Sequence, residues 1–539
     1  MVKRENEGEN REKFFLCFPP RSFRLRLSRL SPPDPRSLIL SLSFSPSRLK
    51  KTGKKKSHEQ GEYFAIDIGG TNYRVTYARL SAETGKLAAL EMRDSSIPDW
   101  AYTAPAPRLF DLLAEAVVSL GRDLGVLRPS TSAAAAPAAA AATAEAPSSP
   151  QGEGAREREN KSLTVGFCFS FPCDQTALDA GRLLKLTKRF QNEGAVGRDP
   201  VEMLRAALAR AGEPGARVAA LLNDSVGTLA GGRYSDPAVA VGVILGTGTN
   251  AAYVEAAANV PKLPKESALR LRGGRVVVNT EWGNFNAPSL PTLEADLALD
   301  AASEHPGEQL LEKMVSGMYM GECARRLLLE LVERHSLFSS SSPTSPPSSA
   351  SIPEGLKAAG SFSTADVSAC DTDSSLTLSK VAAVLSKVLG ADDAASRVSY
   401  LDRRAVRAVC SLVAARSARL LAAAVASLLQ LVEDAGESVS GVPRGGRVAV
   451  AVDGGVFEHY AKYRSTCRAA LAEALGVPLR KVDSRVALRR VRDASSLGAA
   501  FLAAAADHHH LGTSADVAAG AGAAAEAEAE APLPAPAPA

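Results

Sequence analysis

The sequence has 539 residues, a net charge of +4 at pH 7 and 45% hydrophobic side chains, enough for one large or two medium-sized globular units. Its seven cysteines are widely spaced and include no CxxC pair, which argues against a disulfide framework or a zinc site and favours reduced, intracellular thiols. The charge is uneven, with a net +10 over residues 1–56 and a net −6 elsewhere, so the overall balance is no evidence for a nucleic-acid-binding surface.

The first 60 residues are rich in Arg, Ser and Pro, and we predict a disordered basic extension. Their longest apolar patch, residues 38–44, is far shorter than the ~20 residues of a membrane span, so no transmembrane segment is expected. The composition resembles a transit peptide, but four acids within residues 5–12 argue against one. The lysine cluster at 50–56 is interpreted as solvated charge rather than a nuclear signal.

Three further segments have low complexity: an Ala/Pro/Ser insertion at 129–160, a Ser/Pro loop at 338–352 and an Ala/Glu/Pro tail at 511–539. The ordered sequence is therefore expected to extend from about 61 to 510. Within it, short β-rich segments alternate with long Ala/Leu/Arg helical segments, which is typical of an α/β fold. Strands are predicted at 63–68, 73–80, 163–169, 217–222, 239–245, 275–280 and 447–452, and helices at 108–121, 199–211, 401–432 and 464–475.

Two segments, FAIDIGGTNYRV at 64–75 and AVGVILGTGTN at 240–250, both read as strand, Gly/Thr turn and strand. A plain hairpin explains the glycines. Glycines and threonines also let backbone N–H and hydroxyl groups approach phosphate oxygens, and the repetition favours phosphate binding by two duplicated lobes that face each other. Asp67 at the end of the first strand is a candidate for holding Mg²⁺ through water.

Eight motifs, in order, resemble the eukaryotic hexokinases and most closely the plant ones: IDIGGTNYRV, GFCFSFP, LLKLTKRF, LNDSVGTLAGGRY, LGTGTNAAYVE, VNTEWGNF, LLEKMVSGMYMGE and VDGGVFEHY. The resemblance covers about residues 61–510. It implies a two-lobed actin-like ATPase (ribonuclease-H-like) fold of the α/β class, with a central cleft that closes over the sugar. It also implies transfer of the γ-phosphate of Mg-ATP to the 6-hydroxyl of a hexose, so ATP and Mg²⁺ are the expected cofactors.

By the same resemblance, Asp224 accepts the proton of the 6-hydroxyl and Lys188 is a second catalytic residue. A helix N-cap is the structural alternative for Asp224, and solvated surface charge is the alternative for Lys188, Glu281 and Glu312. A hexose is a ring of hydroxyls and needs polar side chains that converge from several loops. The residues that resemble the hexose ligands are Ser170, Thr187, Lys188, Asn223, Asp224, Asn250, Glu281, Gln309 and Glu312.

The nucleotide site is assigned in the same way. Asp67, Gly69, Gly70, Thr71, Asn72 and Arg74 resemble the first phosphate site, and Gly246, Thr247 and Gly248 the second. Gly454 and Gly455 follow an apolar strand, where a flat adenine needs close backbone approach.

The sequence departs from the family pattern at a few positions near these sites. Leu186 and Arg189 replace the tryptophan and glycine of KWTKGF, Cys168 replaces a threonine, and Ala494 and Ser496 replace two glycines of DGSGxGAA. We expect the glycine losses to slow phosphoryl transfer through backbone geometry, and glycine restored at these positions to raise activity.

The favoured function is thus a hexokinase that feeds glycolysis and glucose homeostasis, with glucose as the first candidate substrate and fructose or mannose as others. Two alternatives are a catalytically weak glucose-binding sensor and another actin-like ATPase such as a chaperone; the intact base argues against the first and the sugar motifs against the second. The predicted organisation is a small lobe at 61–225, a large lobe at 226–493 and a C-terminal helix at 494–510 that returns to the small lobe. We expect a cytosolic monomer that binds no nucleic acid, with plastid or mitochondrial association through the N-terminal extension as the alternative location.

Overall fold

The structure is a computed structural model that describes residues 39–40, 61–81, 86–127, 163–261, 263, 265, 273–335, 337–338, 353–390, 398–443 and 445–507. The insertion predicted at 129–160, the tail at 511–539 and almost all of the Ser/Pro loop at 338–352 lie outside the described residues. So does the predicted N-terminal extension, except for Ile39–Leu40, which form a short strand.

Thirteen strands are described. They are β1 (Ile39–Leu40), β2 (Gly61–Ile68), β3 (Asn72–Leu80), β4 (Leu87–Ser96), β5 (Thr164–Phe169), β6 (Cys173–Ala177), β7 (Ala180–Leu183), β8 (Arg217–Leu222), β9 (Val239–Leu245), β10 (Thr249–Ala256), β11 (Arg275–Asn279), β12 (Val448–Asp453) and β13 (Val486–Arg490).

The helices of the described residues are α1 (Ala106–Asp123), α2 (Pro200–Arg210), α3 (Asp224–Ser235), α4 (Glu294–Ala301), α5 (Leu310–Val315), α6 (Met320–His335), α7 (Glu354–Lys357), α8 (Thr364–Asp371), α9 (Ser379–Leu389), α10 (Tyr400–Ala435), α11 (Glu437–Ser440), α12 (Gly455–His459), α13 (Ala461–Ala474), α14 (Val482–Arg485) and α15 (Ala494–Asp507). Short 3₁₀ turns lie at Asp99–Tyr102, Ala257–Asn259, Trp282–Asn284 and Leu479–Lys481.

Two large sheets repeat one topology. The first has the order β4-β3-β2-β5-β8, and the second contains β11-β10-β9-β12-β13 with β1 added at its edge. In each, an antiparallel three-stranded meander is extended by two parallel strands. The duplicated hairpins predicted from the sequence are therefore confirmed: β2–β3 and β9–β10 occupy equivalent places in the two sheets. The central strands β2, β5, β9 and β12 are mostly apolar and mostly buried, as expected where helices cover both faces of a partly parallel sheet.

Each lobe has its own core. In the first, β2 and β5 pack with Leu109, Phe110 and Leu113 of α1. In the second, the 36-residue helix α10 packs its buried face against α6, α8, α13 and the sheet. The length and composition of α10 would also allow it to cross a membrane, but half of its most apolar window is buried inside the protein, as in a core helix.

Helix α15 packs on the first sheet. Ala499 and Ala500 pack with Ala65 and Ala78 of β2 and β3. A Cβ added to Gly166 of β5 would lie 2.1 Å from the carbonyl oxygen of Ala499, so the helix backbone rests directly on the sheet. This contact places the first turn of α15 beside the end of β2.

Candidate functional site: a cleft between two glycine hairpins

The first Gly/Thr hairpin connects β2 to β3. Asp67 is the second-to-last residue of β2, and the N–H of Gly69 donates to the carbonyl of Asn72 at 2.9 Å, which closes the turn. The side chains of Thr71 and Asn72 are exposed. All six residues predicted for the first phosphate site line one cavity: Asp67, Gly69, Gly70, Thr71, Asn72 and Arg74.

The second hairpin connects β9 to β10 and faces the same cavity through Thr247 and Gly248. The N–H of Gly246 donates to the carbonyl of Gly248 at 3.0 Å, and the carbonyl of Gly246 accepts from the N–H of Gly317 at 2.8 Å. Gly246 itself is not in the cavity lining; a Cβ added there would lie 3.8 Å from the Cα of Gly454.

The cavity has a volume of about 270 Å³, and its floor includes Gly454 and Gly455 at the end of β12. Gly454 has a φ of +122°, and a Cβ added to it would lie 2.4 Å from the carbonyl of Leu245. No larger residue fits this close approach of β12 to the second hairpin. Lys188 and Asp224 also line the cavity, so the structure brings the two predicted catalytic residues to the predicted phosphate hairpins.

Several cavity-lining residues were missed by the sequence reasoning, among them Asp453, Asp493 and Ser495. The hydroxyl of Ser495 donates to Asp67 at 2.6 Å, and the guanidinium of Arg74 contacts Asp493 at 2.9 Å. Asp453 accepts from the N–H of Ala494 at 3.1 Å. The position of Asp453 directly before Gly454, at the end of an apolar strand like Asp67, was the pattern that could have identified it.

Carboxylates crowd this end of the cavity. Burial, with the nearby Asp67 and Asp493, raises the pKa of Asp453 to about 7. Burial also raises the pKa of Asp67, with a further contribution from Asp224, although the Ser495 hydroxyl opposes it. Because like charges oppose ionisation of their neighbours, a cation bound here would be stabilised by several carboxylates at once.

The described residues hold no cluster of three or more His, Cys, Asp or Glu side chains that could ligate a metal directly. Mg²⁺ that serves phosphoryl transfer keeps several waters and is held by one or two carboxylates together with the phosphates of its substrate. The carboxylate of Asp67, which lies beside an exposed glycine hairpin in a cavity that other aspartates also line, fits that mode of binding.

Next to this cavity lies a buried amide and carboxylate cluster. The amide nitrogen of Asn250 donates to Asn223 at 3.1 Å, to Asn279 at 2.8 Å and to Glu281 at 3.1 Å, and Asn279 donates to Glu281 at 2.7 Å. Burial raises the pKa of Glu281, while the hydrogen bond from Asn279 acts against it. Asn279 was not predicted, although it lies two residues before Glu281 at the end of β11.

The helix that follows β8 begins beside this cluster. Asn223 is the N-cap of α3 and its side chain accepts from the N–H of Ser225 at 2.9 Å. The N-cap position is thus Asn223 rather than Asp224, although the N–H of Ser225 also donates to the Asp224 carboxylate at 2.8 Å. Asp224 is the first residue of the helix and faces the cavity, next to the amide cluster on one side and the phosphate hairpins on the other.

Glu312 and Gln309 come from the start of α5. Glu312 accepts from the N–H of Thr249 at 2.9 Å and from the amide of Gln309 at 3.3 Å. A Cβ on Gly248 would lie 2.6 Å from the Glu312 carboxylate, so this side chain lies against the second hairpin. Burial raises the pKa of Glu312, partly offset by the Thr249 N–H.

The opposite wall of this cluster comes from the first lobe. The ammonium of Lys188 donates to the carbonyl of Ser170 at 3.0 Å and lies 5.7 Å from the centre of the Phe171 ring. Burial raises the pKa of Glu281 and of Glu312, and the charge of Lys188 is close enough to offset part of that rise. Thr187 lies in the same turn, where its carbonyl accepts from the N–H of Phe190 at 3.2 Å. Hydrogen bonds or charge interactions therefore link most of the predicted hexose ligands to one another, and Lys188 and Asp224 among them also line the cavity of the phosphate hairpins.

The three residues that replace glycines of the family pattern divide into two kinds. Arg189 has a φ of +73°, the left-handed region that favours glycine, and its guanidinium stacks on Tyr102 at 4.6 Å. Ala494 and Ser496 lie in the first turn of α15 and have no left-handed backbone. No left-handed strain is therefore found at Ala494 and Ser496, in a helix that Gly227 and Gly231 of α3 approach closely. The expected effect of the lost glycines on phosphoryl transfer stays a prediction.

Restoring glycine is expected to have opposite effects at the two places. Arg189→Gly should be more stable than Arg189→Ala by about 1 kcal/mol, because only glycine relieves the left-handed backbone. Ser496→Gly should lower the free energy of unfolding by about 1–2 kcal/mol, because it weakens the helix and removes the Ser496–Thr76 hydrogen bond of 2.6 Å. Urea denaturation measures both, and Ser496→Ala separates the lost hydrogen bond from the added flexibility. An equal free energy of unfolding for the two Arg189 variants would contradict the strain.

The chain matches two family models, both described as hexokinase, over residues 40–234 and 240–505. Hexokinase-5 of Oryza sativa subsp. japonica is 37% identical over 83% of this chain and 78% of the relative. A relative from Nicotiana tabacum named "Hexokinase-2, chloroplastic" is 37% identical over 83% of this chain and 79% of the relative. A solved structure of hexokinase from Schistosoma mansoni complexed with glucose superposes with a TM-score of 0.64 at 30% identity and covers 83% of this chain and 87% of that one.

Proposed function

This chain belongs to the hexokinase family and phosphorylates a hexose with ATP, and we propose that the cleft described above does so with Asp224 as the general base. It has the two-lobed actin-like ATPase fold that the resemblance implied. One observation carries the assignment of the site. Asp224 adjoins Asn223 of the amide cluster and also lines the cavity of the two phosphate hairpins, so it lies where a sugar hydroxyl would meet a phosphate.

In the proposed mechanism, the hexose binds among the nine ligand residues with its 6-hydroxyl towards Asp224. The hydroxyl oxygen attacks the γ-phosphorus, its proton passes to the Asp224 carboxylate, and the bond from the γ-phosphorus to the bridging oxygen of ADP breaks. Positioning and charge stabilisation are what phosphoryl transfer requires of a protein. The ammonium of Lys188 is proposed to stabilise the negative charge of the transferred group, and its position in the same cavity lining supports this role.

The nucleotide is proposed to lie along the cavity with its phosphates between Thr71 and Thr247 and its adenine near Gly454 and Gly455. Backbone N–H groups of the two hairpins supply the donors. Mg²⁺ is proposed to be held through water by Asp67, and when bound it neutralises charge on the phosphates.

Glucose is the proposed first substrate, supported by the glucose complex of the Schistosoma mansoni relative. The hexose 6-phosphate formed feeds glycolysis and glucose homeostasis. A coupled assay with Mg-ATP and glucose, fructose or mannose tests both the activity and the preference. Binding of glucose without turnover would replace this proposal with the weak sensor, which no finding favours over the enzyme.

For the cellular setting we keep the sequence-based proposal of a cytosolic monomer. The chloroplastic name of the Nicotiana tabacum relative supports plastid association as the alternative. Expression of the full chain with a C-terminal fluorescent tag would distinguish the two locations.

Glucose is expected to close the two lobes, because the ligands Ser170 and Lys188 belong to one lobe and Glu281 and Glu312 to the other, and a bound sugar contacts both. Small-angle scattering should show a smaller radius of gyration at saturating glucose. Asn250→Ala is the control: it removes the donor that joins Asn223, Asn279 and Glu281, and it should not compact at the same glucose concentration. An unchanged radius in the native chain would count against a working cleft.

A further inference from the structure

The two loops that carry sugar ligands from opposite lobes are joined by a direct ion pair. Lys185 lies two residues before Thr187, and Glu308 lies directly before Gln309. The ammonium of Lys185 donates to the carboxylate of Glu308 at 2.6 Å. Neither residue was a predicted sugar ligand, and neither lines the phosphate cavity.

The loop that carries Lys185 and the loop that carries Glu308 are each fixed by hydrogen bonds within their own lobe. On the large-lobe side, the buried ammonium of Lys313 donates to the carbonyls of His305 and Glu308, each at 2.8 Å. On the small-lobe side, Leu184 donates through its N–H to the carbonyl of Pro172 at 2.9 Å, directly before Lys185. The ion pair therefore connects two anchored segments rather than two mobile ones.

The pair lies at the solvent edge of the sugar region. The side chains of Lys185 and Glu308 are 41% and 54% exposed, whereas Glu281 and Glu312 are more deeply placed. Lys185 and Glu308 belong to different lobes, and these lobes must approach each other to enclose a sugar. The ion pair can form only when the two loops lie close together. It therefore favours the arrangement in which the lobes are close, and it does not act on the phosphoryl-transfer step itself.

We propose that Lys185 and Glu308 are positioning residues that clamp the two sugar-binding loops across the mouth of the cleft and so raise the affinity for the hexose. This inference rests on the proposed function of the cleft. Since the pair touches neither the reacting hydroxyl nor the phosphates, it should alter the KM for glucose and leave kcat nearly unchanged.

The test compares Lys185→Ala, Glu308→Ala, the double variant and the charge swap Lys185→Glu with Glu308→Lys. Each single variant should raise the KM for glucose about two- to five-fold, the range expected for an exposed ion pair. The double variant should be no worse than either single one, and the swap should recover most of the affinity. Because exposed charges are screened, the difference from the native chain should shrink in high salt.

Lys357→Ala is the matched control, because Lys357 forms a 2.8 Å ion pair with Glu354 within α7 and has a similarly exposed side chain, 51%. It should not change the KM for glucose. Calorimetric glucose binding repeats the comparison without turnover.

If the native chain phosphorylates glucose and the Lys185 and Glu308 variants match the Lys357→Ala control, the clamp is wrong and the proposed function stands. Additive effects in the double variant, or a swap as weak as the single variants, would also overturn the clamp. If the native chain neither binds nor phosphorylates a hexose, the proposed function and the clamp fail together.

Discussion

Asp224→Ala is expected to lower kcat roughly 10²–10⁴-fold, because the carboxylate that takes the proton of the attacking hydroxyl is removed. Binding of glucose should remain measurable, since eight other predicted ligands still surround the sugar. The KM for ATP should change little, because the two glycine hairpins are intact. Steady-state kinetics with a coupled assay and calorimetric glucose binding measure the two effects separately.

Asp224→Asn tests the same role without a change in volume, and it should lose as much turnover as Asp224→Ala. Asp123→Ala is the control, because Asp123 is an exposed acid at the end of α1, paired with Arg93 away from the cleft. An Asp224 variant that keeps more than a third of the native turnover would remove Asp224 from the catalytic role.

Lys313→Met is expected to lower the free energy of unfolding by about 3–5 kcal/mol, because it leaves the partly buried Asp300 carboxylate without its counter-charge and two carbonyls without the ammonium donor. The Lys313 side chain is only 2% exposed and donates to Asp300 at 2.5 Å, as well as to the carbonyls of His305 and Glu308. These contacts shape the loop before Gln309 and Glu312. Urea denaturation measures the loss, and the KM for glucose should rise in the fraction that remains folded.

The pH dependence of stability gives a second readout for this ion pair. Burial alone would raise the pKa of Asp300, but the hydrogen bond from Lys313, the N–H of Gly307 and the lysine charge together lower it below the usual 3.8. Because the pKa is depressed in the folded state, the pair stabilises the fold above pH 3.8 and loses that effect as the pH falls further. The native chain should therefore lose more stability than Lys313→Met on acidification. Lys357→Met removes an exposed ion pair and should lower the free energy of unfolding by less than about 1 kcal/mol. If Lys313→Met lowers the free energy of unfolding by no more than Lys357→Met does, the argument from burial is wrong.

Much of the fold could be predicted because its elements have strong local patterns. The strand predicted at 73–80 is Asn72–Leu80, and the helix predicted at 401–432 is Tyr400–Ala435. Long periodic segments and Gly/Thr turns are determined by neighbouring residues, so the chain itself reveals them. The short strands β6 and β7 were not predicted, because their pairing depends on a turn between two weakly β-forming segments.

Site residues that lie within a sequence motif could be predicted, whereas those brought together from distant segments of the chain could not. Asp67 and Asp224 were identified from the residues around them. Ser495 donates to Asp67 across 428 positions of sequence, and nothing local to either residue indicates that contact. Asn279 and Asp453 likewise interact with residues from distant parts of the chain: Asn279 accepts from Asn250, and Asp453 lies near Asp67 and Asp493.

By itself, the sequence determined the α/β class and the two equivalent hairpins, because both follow from local periodicity and from turn chemistry. The hexose ligands were implied by the resemblance of its motifs to those of the hexokinases. Only the tertiary structure decided which backbones need glycine. Arg189 has the strained left-handed conformation, whereas Ala494 and Ser496 sit without strain in a helix whose close approach is provided by Gly227 and Gly231. Tertiary contacts also decided that Lys185 meets Glu308. The physical reason is the same in each case: a φ angle or an ion pair of this kind depends on packing between segments that are far apart in the chain, which no local pattern encodes.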